Sequence, residues 1–119
     1  MTGAIDNPAI YPSLRDRVVF VTGGGSGIGR SLVEHFCAQD AQVTFVDIAE
    51  DASRWLADGI AAKGQKAPDY IKCDLRDIEQ LRSAVAETQK KNGPIRVLVN
   101  NAGNDDRHAT QDVTVEYWD

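Results

Sequence analysis

Phosphate chemistry is within reach of the run VTGGGSGIGRS, residues 21–31, in two different ways. Gly24, Gly29, Arg30 and Ser31 fall one residue short of the triphosphate-cradling pattern G-x-x-x-x-G-K-[ST]. A P-loop needs a Lys ammonium at position 30, and the wider planar fork of Arg is not equivalent there. In its favour, Val43 to Asp47 has the form of a hydrophobic strand with a terminal acid that could hold magnesium. Thr22 to Gly29 alternatively reads as T-G-x-x-x-G-I-G, the turn of a dinucleotide-binding unit. The spacing G-x-G-x-x-G is absent, but Gly23, Gly27 and Gly29 give G-x-x-x-G-x-G. In that arrangement Gly23 permits a sharp exit from a strand, Gly27 lets the backbone approach a pyrophosphate, and Gly29 lets a helix start close to the sheet. The free N–H groups and positive end of that helix then face the phosphates.

A second chemical group sits at a matching distance. Asp47 follows Gly29 by 18 residues, close to the interval at which an acid accepts hydrogen bonds from the adenosine ribose hydroxyls. Its carboxylate would repel a 2'-phosphate, and no Lys or Arg occurs in the turn before Arg30 or between Ile48 and Ser53. NAD is therefore expected in preference to NADP. The simpler use of Asp47 is as a cap for the helix that follows.

The elements that must position these groups alternate regularly. Val18–Val21 is a short β-branched run of the kind that a strand buried on both faces requires. Ile28, Leu32, Val33 and Phe36 share one helical face after the glycines. Val43–Val46, ending in Asp47, is a second strand, and Trp55, Leu56 and Ile60 mark a helix stopped by Gly64. Tyr70–Asp74 reads as a weaker third strand. Asp77 and Gln80 cap a helix whose apolar stripe is Ile78, Leu81 and Val85 and which closes at Lys90-Lys91 before Gly93-Pro94. Ile95–Val99 is the fourth strand, running into Asn100-Asn101-Ala102-Gly103. This alternation predicts an α/β fold with a Rossmann-type, doubly wound parallel sheet, four strands of which are present. Residues 1–14, with Pro8 and Pro12 and no periodicity, are expected to be an arm, and 15–119 a partial NAD-binding domain.

Composition narrows the setting. A chain of 119 residues with a net charge of −5 holds one globular unit and repels phosphate backbones and anionic membrane surfaces. Neither nucleic acid nor membrane is an expected partner, and no apolar run approaches the roughly 18 residues that span a bilayer. The N-terminus has no secretory pattern, so a cytoplasmic location is expected. Cys37 and Cys73 are far apart and lack a C-x-x-C pattern, which points to reduced structural thiols rather than a disulfide or zinc site. His35 falls among the surface residues of the first helix.

Taken together, TGGGSGIG (Thr22 to Gly29), Asp47, Cys73-Asp74-Leu75 and VLVNNAG (Val97 to Gly103) resemble the short-chain dehydrogenase/reductase family from Leu14 onward. The resemblance implies that Gly23, Gly27 and Gly29, with Ser26 and Ile28, hold the pyrophosphate. It also implies that Asp47 meets the adenosine ribose, that Ile48 is a further cofactor-binding residue, that Asp74 and Leu75 border the adenine, and that Asn101, Ala102 and Gly103 pass beneath the ribose beside the nicotinamide. Asn100 is expected instead to tie strands together. The segments AIYPSL, VDIAEDASR and NNAGNDDRH further resemble bacterial NAD-dependent sugar dehydrogenases of the D-xylose 1-dehydrogenase kind, which oxidise an aldose to its lactone. Asn104 to His108 would lie where open α/β sheets bind ligand, with side chains suited to a polyhydroxylated substrate. A solvated loop is the simpler role for that segment, and a metal site from Asp105, Asp106 and His108 lacks further ligands.

The family's hydride transfer is assisted by a Tyr base in Y-x-x-x-K and by an orienting Ser. The sequence contains no Y-x-x-x-K: Tyr11 is followed by Arg15 and Tyr70 by Asp74 at that spacing, and Tyr117 lies two residues before the last. The expectation is a cofactor-binding half with little turnover of its own, from a parent that acts on a secondary alcohol or sugar hydroxyl and forms a homo-oligomer. With no further strands the fourth would be an edge exposing Val97 to Val99, which invites association. The alternative is a complete, non-catalytic nucleotide-binding or interaction module.

Overall fold

The computed structural model describes residues 9–25 and 27–101. A 3-10 turn, Pro12–Leu14, leads into β1 (Val18–Thr22), α1 (Gly27–Ala38), β2 (Gln42–Asp47), α2 (Glu50–Ala62), β3 (Asp69–Lys72), α3 (Ile78–Asn92) and β4 (Val97–Asn100). The strands form one parallel sheet in the order β3-β2-β1-β4, the Rossmann arrangement expected from the alternation. The order reverses direction beside β1, so a crevice opens between the C-terminal ends of β1 and β4, where such sheets take ligands. Register fixes the rim of this crevice. Thr22 pairs with Val46 on one side and Asn100 on the other, so Gly23, Asp47 and Asn101 are the next residues out on three neighbouring strands.

The β-branched runs behave as strands covered on both faces. Val19, Val21, Val43 and Phe45 point to one side, where they pack with Val33 and Cys37 of α1 and Leu56 and Ile60 of α2. Phe20 and Val46 point to the other, against Ala84 of α3 and Cys73, with Leu81, Val85 and Ile95 at the margin. Each such side chain contributes about 1.5–3 kcal/mol when fully buried. Ahead of the sheet, the Gln39 side chain holds the Ala9–Tyr11 segment as a peptide group would. Its Oε1 accepts from Tyr11 N (2.8 Å), and its Nε2 donates to Ala9 O (2.8 Å).

Three apolar residues lie off the faces that periodicity assigns them. Ile28 is 74% exposed, because Gly29 takes the position against the turn and the buried line of α1 runs Gly29, Val33, Cys37. Trp55 is 65% exposed and lies on the outer side of α2, under the Arg30 guanidinium. Ile78 is exposed in the first turn of α3, whose buried residues are Ala84 and Thr88. Thr88 can be buried because its hydroxyl donates to Ala84 O (2.8 Å). Strand ends also differ. β3 stops at Lys72 rather than Asp74, since the chain turns after Cys73, whose N–H reaches Asp47 O, into the bond from Asp77 N to Asp74 O. β4 begins at Val97 rather than Ile95, and Asn100 joins it.

Helix ends follow their local chemistry. The Asp77 carboxylate accepts from Glu79 N (3.0 Å) and Gln80 N (3.4 Å), as the cap requires. Gly64 and Gly93, with φ of 80° and 96°, end α2 and α3 in backbone that side-chain-bearing residues rarely adopt.

Candidate cofactor site

The glycine turn is shaped by two separate constraints. Gly23 and Gly27 have φ of 69° and 58°, the left-handed region that glycine enters without steric cost. A Cβ on Gly27 would meet nothing within 4 Å, so its surroundings are open and only its torsion demands glycine. Gly29 is the reverse case. A Cβ there would run into the Gly23 carbonyl and come within 2.6 Å of Asn101 Nδ2, so α1 starts in backbone contact with the end of β1.

Spacing gives Gly25 no role and Gly24 one only in the P-loop reading, yet both are closely packed. A Cβ on Gly24 would stand 2.7 Å from the Phe45 side chain. One on Gly25 would stand 2.5 Å from Ser53 Oγ and 3.0 Å from the Asp47 carboxylate. The signal for these two glycines lies in residues more than 20 positions away, so no local pattern could reveal it.

Asp47 joins four parts of the rim. Its Oδ2 accepts from Gly25 N (3.0 Å), and its Oδ1 accepts from Ala49 N (2.8 Å) at the entry to α2. Its backbone carbonyl accepts from the Tyr70 hydroxyl (2.8 Å) and from Cys73 N (3.3 Å). The Tyr70 ring packs on Phe45 with centroids 5.2 Å apart, and burial pushes its phenol pKa up, so this donor stays protonated. Asp47 thus turns the chain toward α2 through the Ala49 N–H, without bonding the N–H groups of the helix itself, while its second oxygen secures the glycine turn.

On the other side of the crevice the two asparagines divide their work. Thr22 Oγ1 donates to Asn100 Oδ1 (3.0 Å), tying β1 to β4, and Asn101 Nδ2 donates to Gly23 O (3.2 Å). Ile48 is exposed beside Asp47. Asp74 and Leu75 follow the end of β3, where Leu75 packs under α3 and Asp74 pairs with Arg76 (3.1 Å). The Arg76 side-chain hydrogen bond holds the Asp74 carboxyl below its usual pKa. Ser26, Ala102, Gly103 and the Asn104–His108 segment lie outside the described residues.

Basic side chains near the rim are already engaged. Arg30 stacks on Trp55 at 4.8 Å and lies 3.6 Å from Glu34, while Arg54 (3.0 Å) and Lys72 (3.6 Å) both pair with Glu50. Arg30 is therefore not held as the phosphate-reaching cation that a P-loop requires. Among the described residues no group of His, Cys, Asp and Glu could hold a metal ion, and no helix is long and apolar enough to cross a membrane.

The family model for short chain dehydrogenases matches residues 17–119. The chain belongs to this family. Among curated relatives of this chain, a probable galactose dehydrogenase, GalD, of Rhizobium meliloti is 54% identical over 109 residues, which are 92% of this chain and 43% of that protein. The D-xylose 1-dehydrogenase of Caulobacter vibrioides is 50% identical over 111 residues, 93% of this chain and 43% of that protein. A crystal structure of a short chain dehydrogenase from Mycobacterium smegmatis superimposes with a TM-score of 0.74 at 30% identity, covering 92% of this chain and 45% of that one. The chain thus spans less than half the length of the relatives it matches, and the resemblance to sugar dehydrogenases extends to the first relatives found.

Proposed function

We propose that this chain forms the adenosine and pyrophosphate half-site of an NAD-dependent oxidoreductase acting on a sugar or another secondary alcohol. Family membership supplies the oxidoreductase class and a nicotinamide cofactor. The preference for NAD rests on one observation, the Asp47 carboxylate held at the rim by Gly25 N–H and Ala49 N–H. A carboxylate has about four acceptor positions, of which two are used here, leaving two for the vicinal hydroxyls of a ribose. The same fixed charge opposes a 2'-phosphate, and Arg30, Arg54 and Lys72 are already engaged with other groups.

The turn itself fits a pyrophosphate. Open space at Gly27 admits the phosphates to the first turn of a 12-residue helix, whose unpaired N–H groups favour anions. Asn101 steadies the Gly23 carbonyl, and with it the shape of the turn, from the opposite side of the crevice. NAD, when bound, supplies the hydride acceptor; the residues described here bind and orient it. The sugar substrate is suggested by the named activities of the GalD and D-xylose relatives.

Calorimetric titration with NAD, with NADP and with Asp47→Ala tests this reading. Saturable NAD binding that Asp47→Ala weakens by about tenfold or more, with NADP poorer, is expected for the loss of charge-assisted hydrogen bonds. NADP binding as tightly as NAD to the unaltered chain would refute the cofactor preference.

A further inference from the structure

Tyr70 stands outside the crevice, yet it meets from below the residues that support the glycine turn. It is the register partner of Phe45, so the two side chains share a face of the sheet and their rings pack together. Phe45 is the side chain against Gly24, and Ser53, the side chain against Gly25, hydrogen-bonds the phenol. The Arg54 guanidinium covers the ring from α2 at 5.6 Å. The ring packing would be available equally to a phenylalanine. What the hydroxyl adds at the rim is a bond to Asp47 O (2.8 Å), a carbonyl that already accepts from Cys73 N (3.3 Å) at the end of the strand ladder. That carbonyl has a partner without the phenol, so satisfying it does not account for the second bond.

We propose that Tyr70 is a positioning residue for the cofactor, its hydroxyl fixing the peptide after Asp47 so that the carboxylate stands ready for the adenosine ribose. The inference rests on the ribose-binding role proposed for Asp47. The carboxylate is held at Oδ1 by Ala49 N (2.8 Å), two residues along the same chain, and that hold keeps one geometry only while the planar peptide between Asp47 and Ile48 does not turn. The Asp47 carbonyl is the handle on this peptide. Among the described strands β3 is the outermost and its pairing with β2 ends at Lys72, so on that side the peptide is gripped by Cys73 N at 3.3 Å and by the shorter Tyr70 bond. A second grip, from a ring packed on Phe45 and covered by Arg54, makes a fixed point of a strand end that would otherwise fray. A carboxylate held in place before the ligand arrives loses less freedom on binding, which is how a group remote from the ribose strengthens its capture. The same immobility keeps the charge opposed to a 2'-phosphate.

Tyr70→Phe removes the hydroxyl and keeps the ring. NAD affinity measured by calorimetry is expected to fall by about three- to tenfold, the worth of one hydrogen bond, while NADP affinity holds or rises, so that the preference narrows. In the Asp47→Ala background the same substitution is expected to change NAD affinity by less than about twofold, because the group it positions is gone. In the ligand-free chain the Ala49 and Gly25 amides are expected to exchange hydrogen faster in Tyr70→Phe, with the β2–β3 ladder before Asp47 unchanged. Equal losses of NAD and NADP affinity, a loss undiminished in the Asp47→Ala background, or faster exchange throughout that ladder would make Tyr70 a structural residue only and overturn the proposal. Unchanged NAD affinity in Tyr70→Phe, with Asp47→Ala still weakened, would overturn it while leaving the half-site intact. Failure of the unaltered chain to bind NAD would remove the half-site, and the proposal with it.

Discussion

On the α1/α2 side of the sheet, Val19, Val21, Val43 and Phe45 meet Val33, Cys37, Leu56 and Ile60 with no side chain more than 3% exposed. On the α3 side, Phe20 and Val46 are covered, but Leu98, the cross-strand partner of Phe20, is 66% exposed. The closed side belongs to the helices that begin at the crevice, α1 after the glycine turn and α2 just after Asp47. Its packing therefore sets the geometry of the site: Phe45 lies against Gly24, and Ser53 lies against Gly25. The α3 side carries the sheet and meets the site at the end of β3 and through the Thr22–Asn100 bond.

The sharpest way to break this contrast is to remove one large residue from each side. Phe45→Ala is expected to cost about 3–5 kcal/mol, and Leu98→Ala no more than about 0.5 kcal/mol, in denaturant unfolding. Equal costs would mean that the two sides are finished alike. Within the turn, Gly29→Ala should destabilise by about 1–3 kcal/mol through its clash with the Gly23 carbonyl and should also lose NAD binding. Gly27→Ala meets no atoms and should cost about 1–2 kcal/mol for its left-handed backbone alone. Its free energy should be recovered by Gly27→Asn, which tolerates that region, whereas Gly29→Asn should recover nothing.

The two thiols extend the contrast to pH. Burial pushes Cys37, on the closed side, up to about 12 from an ordinary 9.0, and raises Cys73 as well. A folded-state pKa above the unfolded value means that the folded chain retains a proton the unfolded chain releases, so stability falls as pH climbs from about 9 toward 12. Unfolding midpoints across that window should decline, and Cys37→Ala should flatten the slope even though it lowers the starting stability. An unchanged slope would place the proton elsewhere.

Much of this architecture was legible from short runs. Val18 to Val21 and Val43 to Val46 declare fully covered strands, and the spacing of Gly23 and Gly29 anticipates a sharp exit from β1 and a close helix start, whereas the left-handed torsion of Gly27 is seen only in the structure. The phase of a helix is harder to read. Ile28, Trp55 and Ile78 are apolar residues whose helical periodicity suits burial, yet two stand in first turns and one faces outward beneath Arg30. Strand ends are harder to read for a related reason: β3 ends where the chain turns away, after Cys73 N closes the ladder at Asp47 O and Asp77 N bonds Asp74 O, and that is a three-dimensional fact. The packing of Gly24 on Phe45 and of Gly25 on Ser53 is not legible in the turn, because it arises only when β2 and α2 are brought under it.

Among the described residues, the Gln39 side chain, by bonding Tyr11 N and Ala9 O, makes the attachment of residues 9–11 a matter of one side chain rather than of a ladder. Such an attachment opens on its own timescale. Its release leaves every strand pairing in place, so native-state proteolysis should clip the chain near Ile10 at a rate insensitive to mild denaturant and faster in Gln39→Ala. The molecule thus has two independent thresholds for losing structure, a shallow one at its leading segment and a deep one at its sheet.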